Sequence, residues 1–452
     1  MLHDILPFWF IDFLPAWMFV FLFGLLLIGY PVAFTIGALA LLFGWMGFGL
    51  PFFNLLPLRI WGVMTNFTLV AVPLFVFMGV TLERSGLAEE LLDTMAVLFG
   101  RLRGGLSISV TVVGALLAAS TGIVGATTVT MGLLALPTML RRNYSPELAT
   151  GTIAASGTLG QIIPPSIVLV VLADIMYISV GDLFMAAVVP GLLLVVLYML
   201  YIVVLGVANP DAAPPIPAEE LAAISRRELM QRVMRSLVPP LALMMAVLGS
   251  IFAGIASPTE AAAVGATVAM LLVVWNGKFS MNMLTGVMRT TVRLTSMVFI
   301  ILVGAQAFGL TFRGLGGDDL IRNFISHLPF GEWGVLAIVM ITLFIAGFFL
   351  DFIEITFIHV PVLTPLMVHF GFNPVWFATL IAVNLQTSFL TPPFGYALFY
   401  LKSVCPPSVT TAHIYRGIVP FVTLQLIGLL VVIFFPWMAL WLPCKVFGSQ
   451  CQ

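Results

Sequence analysis

The chain has 452 residues, 61% of them hydrophobic and only 8% charged, with a mean hydropathy of +1.16 and a formal net charge of −1. These values exclude a water-soluble globule and leave no basic excess that would suit nucleic acid. They predict an all-α polytopic membrane protein, because apolar runs near the roughly 20 residues that cross a bilayer recur throughout and nothing alternates with the period of two that a barrel needs.

In chain order, apolar runs cover 13–29, 32–49 and 67–82. The first has no Lys or Arg ahead of it and no small-residue cleavage site, so it reads as a retained span and not a signal peptide. An amphipathic stretch at 86–100, "GLAEELLDTMAVLFG", reads as a helix on the membrane surface. Residues 105–141 form two apolar arms around "STGIVGATT", the pattern of a re-entrant hairpin. The next segment, 146–177, contains "GTLGQIIPPSIVLVVLAD", in which Gly157, Gly160, Pro164 and Pro165 break an otherwise membrane-buried helix. A span at 183–207 precedes the linker "ANPDAAPPIPAEELAAISRRELMQRVMR", residues 208–235, whose Pro and Ala richness reads as a tether followed by a surface helix.

Further spans are expected at 237–255, 259–275 and 294–312, then a second amphipathic stretch at 317–328. A second hairpin, 333–369, folds around "FLDFIEIT"; an interrupted helix follows at 374–403 and a final span at 416–440. "SPTE" at the start of the 259–275 span supplies Ser257 as N-cap, Pro258 at the first helical position and Glu260 as capping-box partner. His359, alone on an apolar face, reads as a core histidine, and Trp45, Trp61, Trp275, Trp333 and Trp437 near span ends read as interface anchors. Cys444 and Cys451 are close enough in sequence for a disulfide if that tail lies outside, or stand as two unpaired thiols.

The chain repeats itself. Pro137, Pro146, Pro164 and Pro165 recur as Pro365, Pro374, Pro392 and Pro393, each displaced by 228 positions. Arg84, Glu89, Glu90 and Leu91 match Arg313, Asp318, Asp319 and Leu320 at a displacement of 229. If both hairpins enter and leave on one side, an odd number of crossings separates the two diproline sites, so the halves face opposite ways. The expected division is a first inverted repeat at 1–207, a cytoplasmic linker at 208–235 and a second inverted repeat at 236–452. An outside N-terminus places 14 of the 18 Lys and Arg residues at the inner side, which fixes that orientation.

Broken helices inside a bilayer expose backbone carbonyls and amides that ions and substrate can satisfy. Neutral oxygen donors surround both breaks: Ser156, Thr158, Gln161 and Ser166 with Gly157 and Pro164 at the first, and Asn384, Gln386, Thr387, Ser388 and Thr391 at the second. Such a set suits a weakly held monovalent cation, Na⁺ near Gly157, Thr158, Gln386 and Ser388, with no other cofactor. Asp351 and Glu354 at the second hairpin tip, with Thr356 after them, either fix that tip by hydrogen bonding or take part in binding a cation or proton. No paired carboxylates, nucleophile–base constellation or phosphate loop is evident, which argues against an enzyme and against ATP-driven transport.

"GTLGQIIPPSIVLVVL", "SVGDLFMAAVVPGLLL", "SPTEAAAVGA", "FFLDFIEITFIHVPVLTP" and "NLQTSFLTPPFGYALF" resemble the large membrane subunit of the tripartite ATP-independent periplasmic (TRAP) transporters, over nearly the full chain and in the same order. The resemblance implies an elevator-type secondary transporter in the bacterial inner membrane, with two hairpins and two interrupted helices carrying substrate and Na⁺ together. It also implies two partners: a small four-helix membrane subunit, and a periplasmic solute-binding protein that delivers an organic acid such as a 2-oxo acid, hydroxy acid or dicarboxylate. At the first hairpin tip the family's Ser-Gly-Ser-Ser type sequence is replaced, Thr121-Gly122 being followed by Ile123 and Val124, so ion contacts there transfer to Thr121, Gly122, Thr127 and Thr128. The alternatives are a stand-alone Na⁺/divalent-anion symporter of similar inverted-hairpin plan and an integral-membrane enzyme.

Overall fold

The computed structural model describes residues 13–122, 124–222, 224–326, 329, 331–392 and 395–449, and among these the regular structure is entirely helical. Among the described residues, five helices are long and apolar enough to cross a membrane, or up to seven if each of two sharply bent helix pairs counts as one span. The first two apolar runs form the helices Leu14–Ile28 and Val32–Phe48, of 15 and 17 residues, cut apart by Gly29 and Pro31. The run expected at 294–312 is the middle of a single 34-residue helix, Met281–Gly314. At about 1.5 Å per residue that helix is longer than a bilayer is thick, so it is tilted or extends beyond the hydrocarbon. The final span differs from expectation: the apolar stretch 416–440 is divided between Thr411–Phe434 and Trp437–Phe447, because Pro436 cannot continue the first helix and instead leads the second.

Two compact units emerge. One contains residues 1–67, 175–177 and 293–374; the other contains 68–174, 178–292 and 375–452. In the first unit Leu14–Ile28 packs on Val32–Phe48, and Thr311 Oγ1 donates to the Ala40 carbonyl at 3.1 Å. Phe19 stands edge-on to Phe308 and Phe312, with ring centroids 5.5 and 5.4 Å away. His359 is buried between Phe19 and Phe23, 5.9 Å from each, as a core histidine would be, although its Nδ1 meets no hydrogen-bond partner among the described residues. The return arm of the second hairpin bends by 58° at this histidine, between Phe352–Ile358 and Val360–His369.

In the second unit the segment 208–217 is hydrogen-bonded to the helices around it. The amide of Gly104 donates to Ala213 O (2.9 Å), that of Ser145 to Ala212 O (3.0 Å) and that of Ile216 to Gly100 O (2.8 Å). Arg142 and Glu220 add an ion pair at 2.9 Å, and Ala213 is fully buried. Pro and Ala lower the entropy of a chain that is to be pinned as readily as they extend a free one, and unpaired amides at two helix starts supply the partners. The surface helix at its end, Arg226–Ser236, runs almost directly into Val238–Phe252, and together they pass as one of the five long apolar helices.

Several local expectations hold. Ser257, Pro258 and Glu260 form the capping box of Pro258–Trp275, with Glu260 Oε2 accepting from the Ser257 amide at 2.8 Å. Trp45, Trp61, Trp275, Trp333 and Trp437 are all exposed. The amphipathic stretches form Leu87–Phe99 and Gly317–Ser326, while residues 327 and 328 lie outside the described residues. Cys444 is disulfide-bonded and Cys405 is free, so the unpaired-thiol alternative for Cys444 falls; Cys451 itself lies outside the described residues.

Candidate ion and substrate site

Both diproline segments interrupt their helices. The first helix, Pro146–Thr158, is launched by Ser145, whose side chain accepts from the Leu148 amide, and by Pro146 at its first turn. It tightens into a 3₁₀ turn, Leu159–Gln161, and stops; the helix resumes as Ile167–Met176. Pro164 and Pro165 lack the amides that a continuous helix would need here. Ser166 Oγ reaches back across the gap and donates to Gln161 O at 3.2 Å. The second helix, Pro374–Leu390, starts at the equivalent position but stays α-helical four residues further, and it resumes at Tyr396–Val404 after Gly395, whose amide returns to Thr391 O at 3.1 Å.

The first hairpin lies flush against the first break. Gly105–Thr121 ends at Gly122, whose φ of +63° is left-handed, and Val124–Arg141 is the return arm. A side chain in that conformation costs about 1–2 kcal/mol, and a Cβ on Gly122 would also lie 3.1 Å from the amide nitrogen of Ile167, the residue at which the broken helix restarts. Three more close approaches fix the register. A Cβ on Gly114 would lie 2.6 Å from Ser156 Oγ, one on Gly157 would run into Thr128 Oγ1, and one on Gly160 would run into the Ala118 carbonyl. Small residues thus bring hairpin and broken helix to backbone contact. On the other side Gly151 and Gly417 do the same, so that Pro146–Thr158 meets Thr411–Phe434 with almost no side chain between them.

Four hydroxyls around the breaks share one arrangement. Ser156 donates to Ile153 O (3.1 Å), Thr158 to Ala155 O (2.9 Å), Thr387 to Val383 O (2.9 Å) and Thr391 to Thr387 O (2.8 Å). Each hydroxyl has one proton, and here it is committed to the residue's own helix, so what faces the surroundings is lone pairs. Gln161 Oε1 and Thr128 Oγ1 are buried and find no hydrogen-bond partner among the described residues. Ser156, Gly157, Thr158, Gln161, Ser166, Thr127 and Thr128 are all buried, and so are Asn384, Gln386, Thr387 and Ser388. Thr391 and Pro164 flank the gaps, and the side chain of Thr121 lies outside the described residues.

The structure therefore brings Gly122 together with Ile167, and Thr128 with Gly157, as two parts of one small-residue seam. It also supplies two polar residues that the sequence reading passed over. Gln425 Nε2 donates to Thr158 Oγ1 at 3.5 Å, and Tyr198 stands edge-on to Phe421, one turn before Gln425, with ring centroids 5.2 Å apart. The available signal was a lone glutamine within the apolar run "VTLQLIGLLVV".

Asp351, Glu354 and Thr356 belong to the other unit. Asp351 caps Phe352–Ile358: its side chain accepts from the Phe352 amide at 2.7 Å, and Glu354 Oε2 accepts from the Asp351 amide at 3.0 Å. This is a capping box, and it fixes the hairpin tip by hydrogen bonding. Thr356 Oγ1 is buried without a partner among the described residues.

Comparison with known proteins agrees with this architecture. The family profile described as "Tripartite ATP-independent periplasmic transporter, DctM component" matches residues 19–438. The chain is 31% identical to the C4-dicarboxylate TRAP transporter large permease protein DctM of Pseudomonas aeruginosa, over 86% of this chain and 89% of that protein. It is 30% identical to the ectoine/5-hydroxyectoine TRAP transporter large permease protein UehC of Ruegeria pomeroyi, over 96% of this chain and all of that protein. With the sialic acid TRAP transporter large permease protein SiaM of Vibrio cholerae it shares 29% identity over 93% of this chain and 96% of that protein. Among solved structures, the YdaH transporter of Alcanivorax borkumensis has a similar fold, with a TM-score of 0.63 at 15% identity, covering 95% of this chain and 99% of that one. With its helical membrane architecture and a family match across nearly its whole length, the chain is a transporter subunit and not an enzyme, and it belongs to the DctM family of TRAP transporter large permeases.

Proposed function

We propose that this chain is the permease subunit of a secondary transporter that imports an organic acid with Na⁺ across the bacterial inner membrane. A periplasmic binding protein delivers the substrate, and a small four-helix membrane subunit completes the assembly. Substrates named for the relatives include a C4-dicarboxylate, ectoine and sialic acid, each of which carries a carboxylate.

The observation that carries this reading is the pair of interrupted helices lined by hydroxyls whose protons are already engaged. Lone pairs of Ser156, Thr158 and Thr387, with the loose carbonyls at the ends of the broken helices, suit a monovalent cation; the amides at the helix restarts suit a carboxylate. Gly157, Thr158, Gln386 and Ser388 are the residues we place nearest the cation. The two halves, 1–207 and 236–452, act as inverted repeats, the hairpins re-enter the membrane, and the N-terminus faces the periplasm with 208–235 in the cytoplasm. Transport then proceeds by elevator-like movement of the hairpins and broken helices.

Reconstitution in proteoliposomes with the small subunit and the cognate binding protein tests this. Uptake that needs an inward Na⁺ gradient and both partners is the expected result. Uptake by this chain alone would favour a stand-alone symporter, and uptake indifferent to Na⁺ would overturn the coupling.

A further inference from the structure

A cleft of about 550 Å³, counted to its open mouth, lies within the first unit, between the last turns of Met281–Gly314, the bent return arm of the second hairpin and the turn at Tyr177. Gln306, Arg313, Tyr177 and Thr364 supply its polar lining. Phe357 and Pro361, on either side of the 58° bend at His359, form part of an apolar wall. The Arg313 side chain folds back along its own helix, where Nε donates to Gly309 O at 3.3 Å and Nη2 would stand 3.5 Å from a Cβ on Gly309. Among the described residues, no acidic side chain lines the cleft and Arg313 forms no ion pair. Its guanidinium therefore keeps most of its donors for something else.

The repeat shows that this polarity is not a requirement of packing. In the first half the matching arginine, Arg84, donates from Nη2 to Thr290 Oγ1 at 3.0 Å, and the positions equivalent to Gln306 and Thr364, displaced by 229 and 228 residues, are Phe77 and Leu136. The same architecture is thus built with apolar side chains where the second half has polar ones. A guanidinium without a counter-charge offers a two-pronged fork to a carboxylate, and one positive charge balances one such group. The Thr364 hydroxyl gives its proton to Val360 O at 2.8 Å, which leaves lone pairs for a hydroxyl on a ligand, and the apolar wall suits a short carbon chain. We propose that this cleft receives a small monocarboxylate, a hydroxy acid of a few carbons, with its carboxylate on Arg313 and Gln306. None of its residues belongs to the ion and substrate site at the breaks. In the orientation proposed above this end of Met281–Gly314 faces the periplasm, so the cleft is a reception site for incoming cargo; the proposal rests on the reading that the cargo is an organic acid.

The test is protection of Arg313 from phenylglyoxal, followed by peptide mass spectrometry on the full chain in phosphatidylcholine nanodiscs without Na⁺. Millimolar potassium lactate should slow modification of Arg313 several-fold and leave Arg59, exposed in the same unit, unaffected. Lactamide, the neutral counterpart, should protect neither. No slowing at Arg313 would overturn the proposal, and so would equal slowing by potassium chloride or potassium phosphate. If phosphatidylglycerol in the nanodisc protects Arg313 and lactate adds nothing, the guanidinium holds a lipid headgroup and the proposal fails. Q306L gives a second readout: with the rate of modification unchanged in the absence of lactate, several-fold more lactate should be needed for the same protection. Undiminished protection in Q306L would place the ligand outside the cleft and overturn it equally. Because binding is read without Na⁺ or partner proteins, uptake that proved indifferent to Na⁺ would unseat the coupling and leave this result standing.

Discussion

Thr128 Oγ1 fills the space that a side chain on Gly157 would occupy, so the return arm of the first hairpin and the end of the first broken helix are fitted to one another atom against atom. Replacing Gly157 by Ala should force these elements apart, at about 1–3 kcal/mol for overpacking a filled core. We expect uptake to fall at least tenfold while membrane insertion is retained. The double variant G157A/T128A removes the colliding oxygen and should recover part of the fold stability, measured by thermal unfolding. Uptake should stay low if Thr128 also faces the cation, and full recovery of uptake would show that Thr128 serves packing alone.

Gly122, which is buried, should be less tolerant than its place in a turn suggests. Its left-handed backbone and the 3.1 Å approach to the Ile167 amide both act against a side chain. Gly122→Ala is expected to lower stability by about 1–2 kcal/mol from the backbone term alone and to raise the substrate concentration for half-maximal uptake. Wild-type uptake and melting temperature in this variant would argue that the hairpin tip does not seat on the helix restart.

At the second hairpin the capping box separates two roles for the carboxylates. Glu354→Gln keeps an acceptor for the Asp351 amide and should preserve stability, whereas Asp351→Ala removes the cap and should cost about 1 kcal/mol. If Glu354 serves only the cap, E354Q retains the Na⁺ dependence of uptake. A shifted Na⁺ dependence in E354Q, with unchanged melting temperature, would place the carboxylate in ion or proton handling.

Single cysteines along the linker provide a map of both side and contact. Cysteines at Asp211 and Glu219, which are exposed, should be labelled by an impermeant maleimide only from the cytoplasmic face, whereas Ala213→Cys should stay unreactive until the protein is denatured. Labelling of the Asp211 or Glu219 variant from outside would reverse the topology. Ready labelling at 213 in the folded protein would mean that the linker is detached from the hairpin.

The breaks were legible in the sequence because adjacent prolines act through their own backbone chemistry: Pro164-Pro165 and Pro392-Pro393 each withhold two successive amides, whereas single prolines such as Pro137, Pro190 and Pro420 remain inside helices. Capping was legible for the same reason, since Ser257-Pro258-Thr259-Glu260 and Asp351-Phe352-Ile353-Glu354 are complete within four residues. What depends on distant partners was not. Nothing near Gln425 in the chain indicates that it meets Thr158, and the glycines 114, 151 and 417 show their purpose only once the backbones they admit are in place. The contacts of the 208–217 segment were not legible either, because composition describes an unbound chain while the conformation is set by the amides of Gly104 and Ser145 that it accepts from.

That last feature bears on how the gene product could be divided. The stretch joining the halves looks like the natural seam for fragment complementation, yet Ala212, Ala213 and Ile216 close the base of the first hairpin. Scission before residue 212 would leave the amino-terminal fragment without its buckle, whereas scission at the exposed 217–219 segment would leave it fastened. Of two nicked versions differing by fewer than ten residues, only the latter should reassemble.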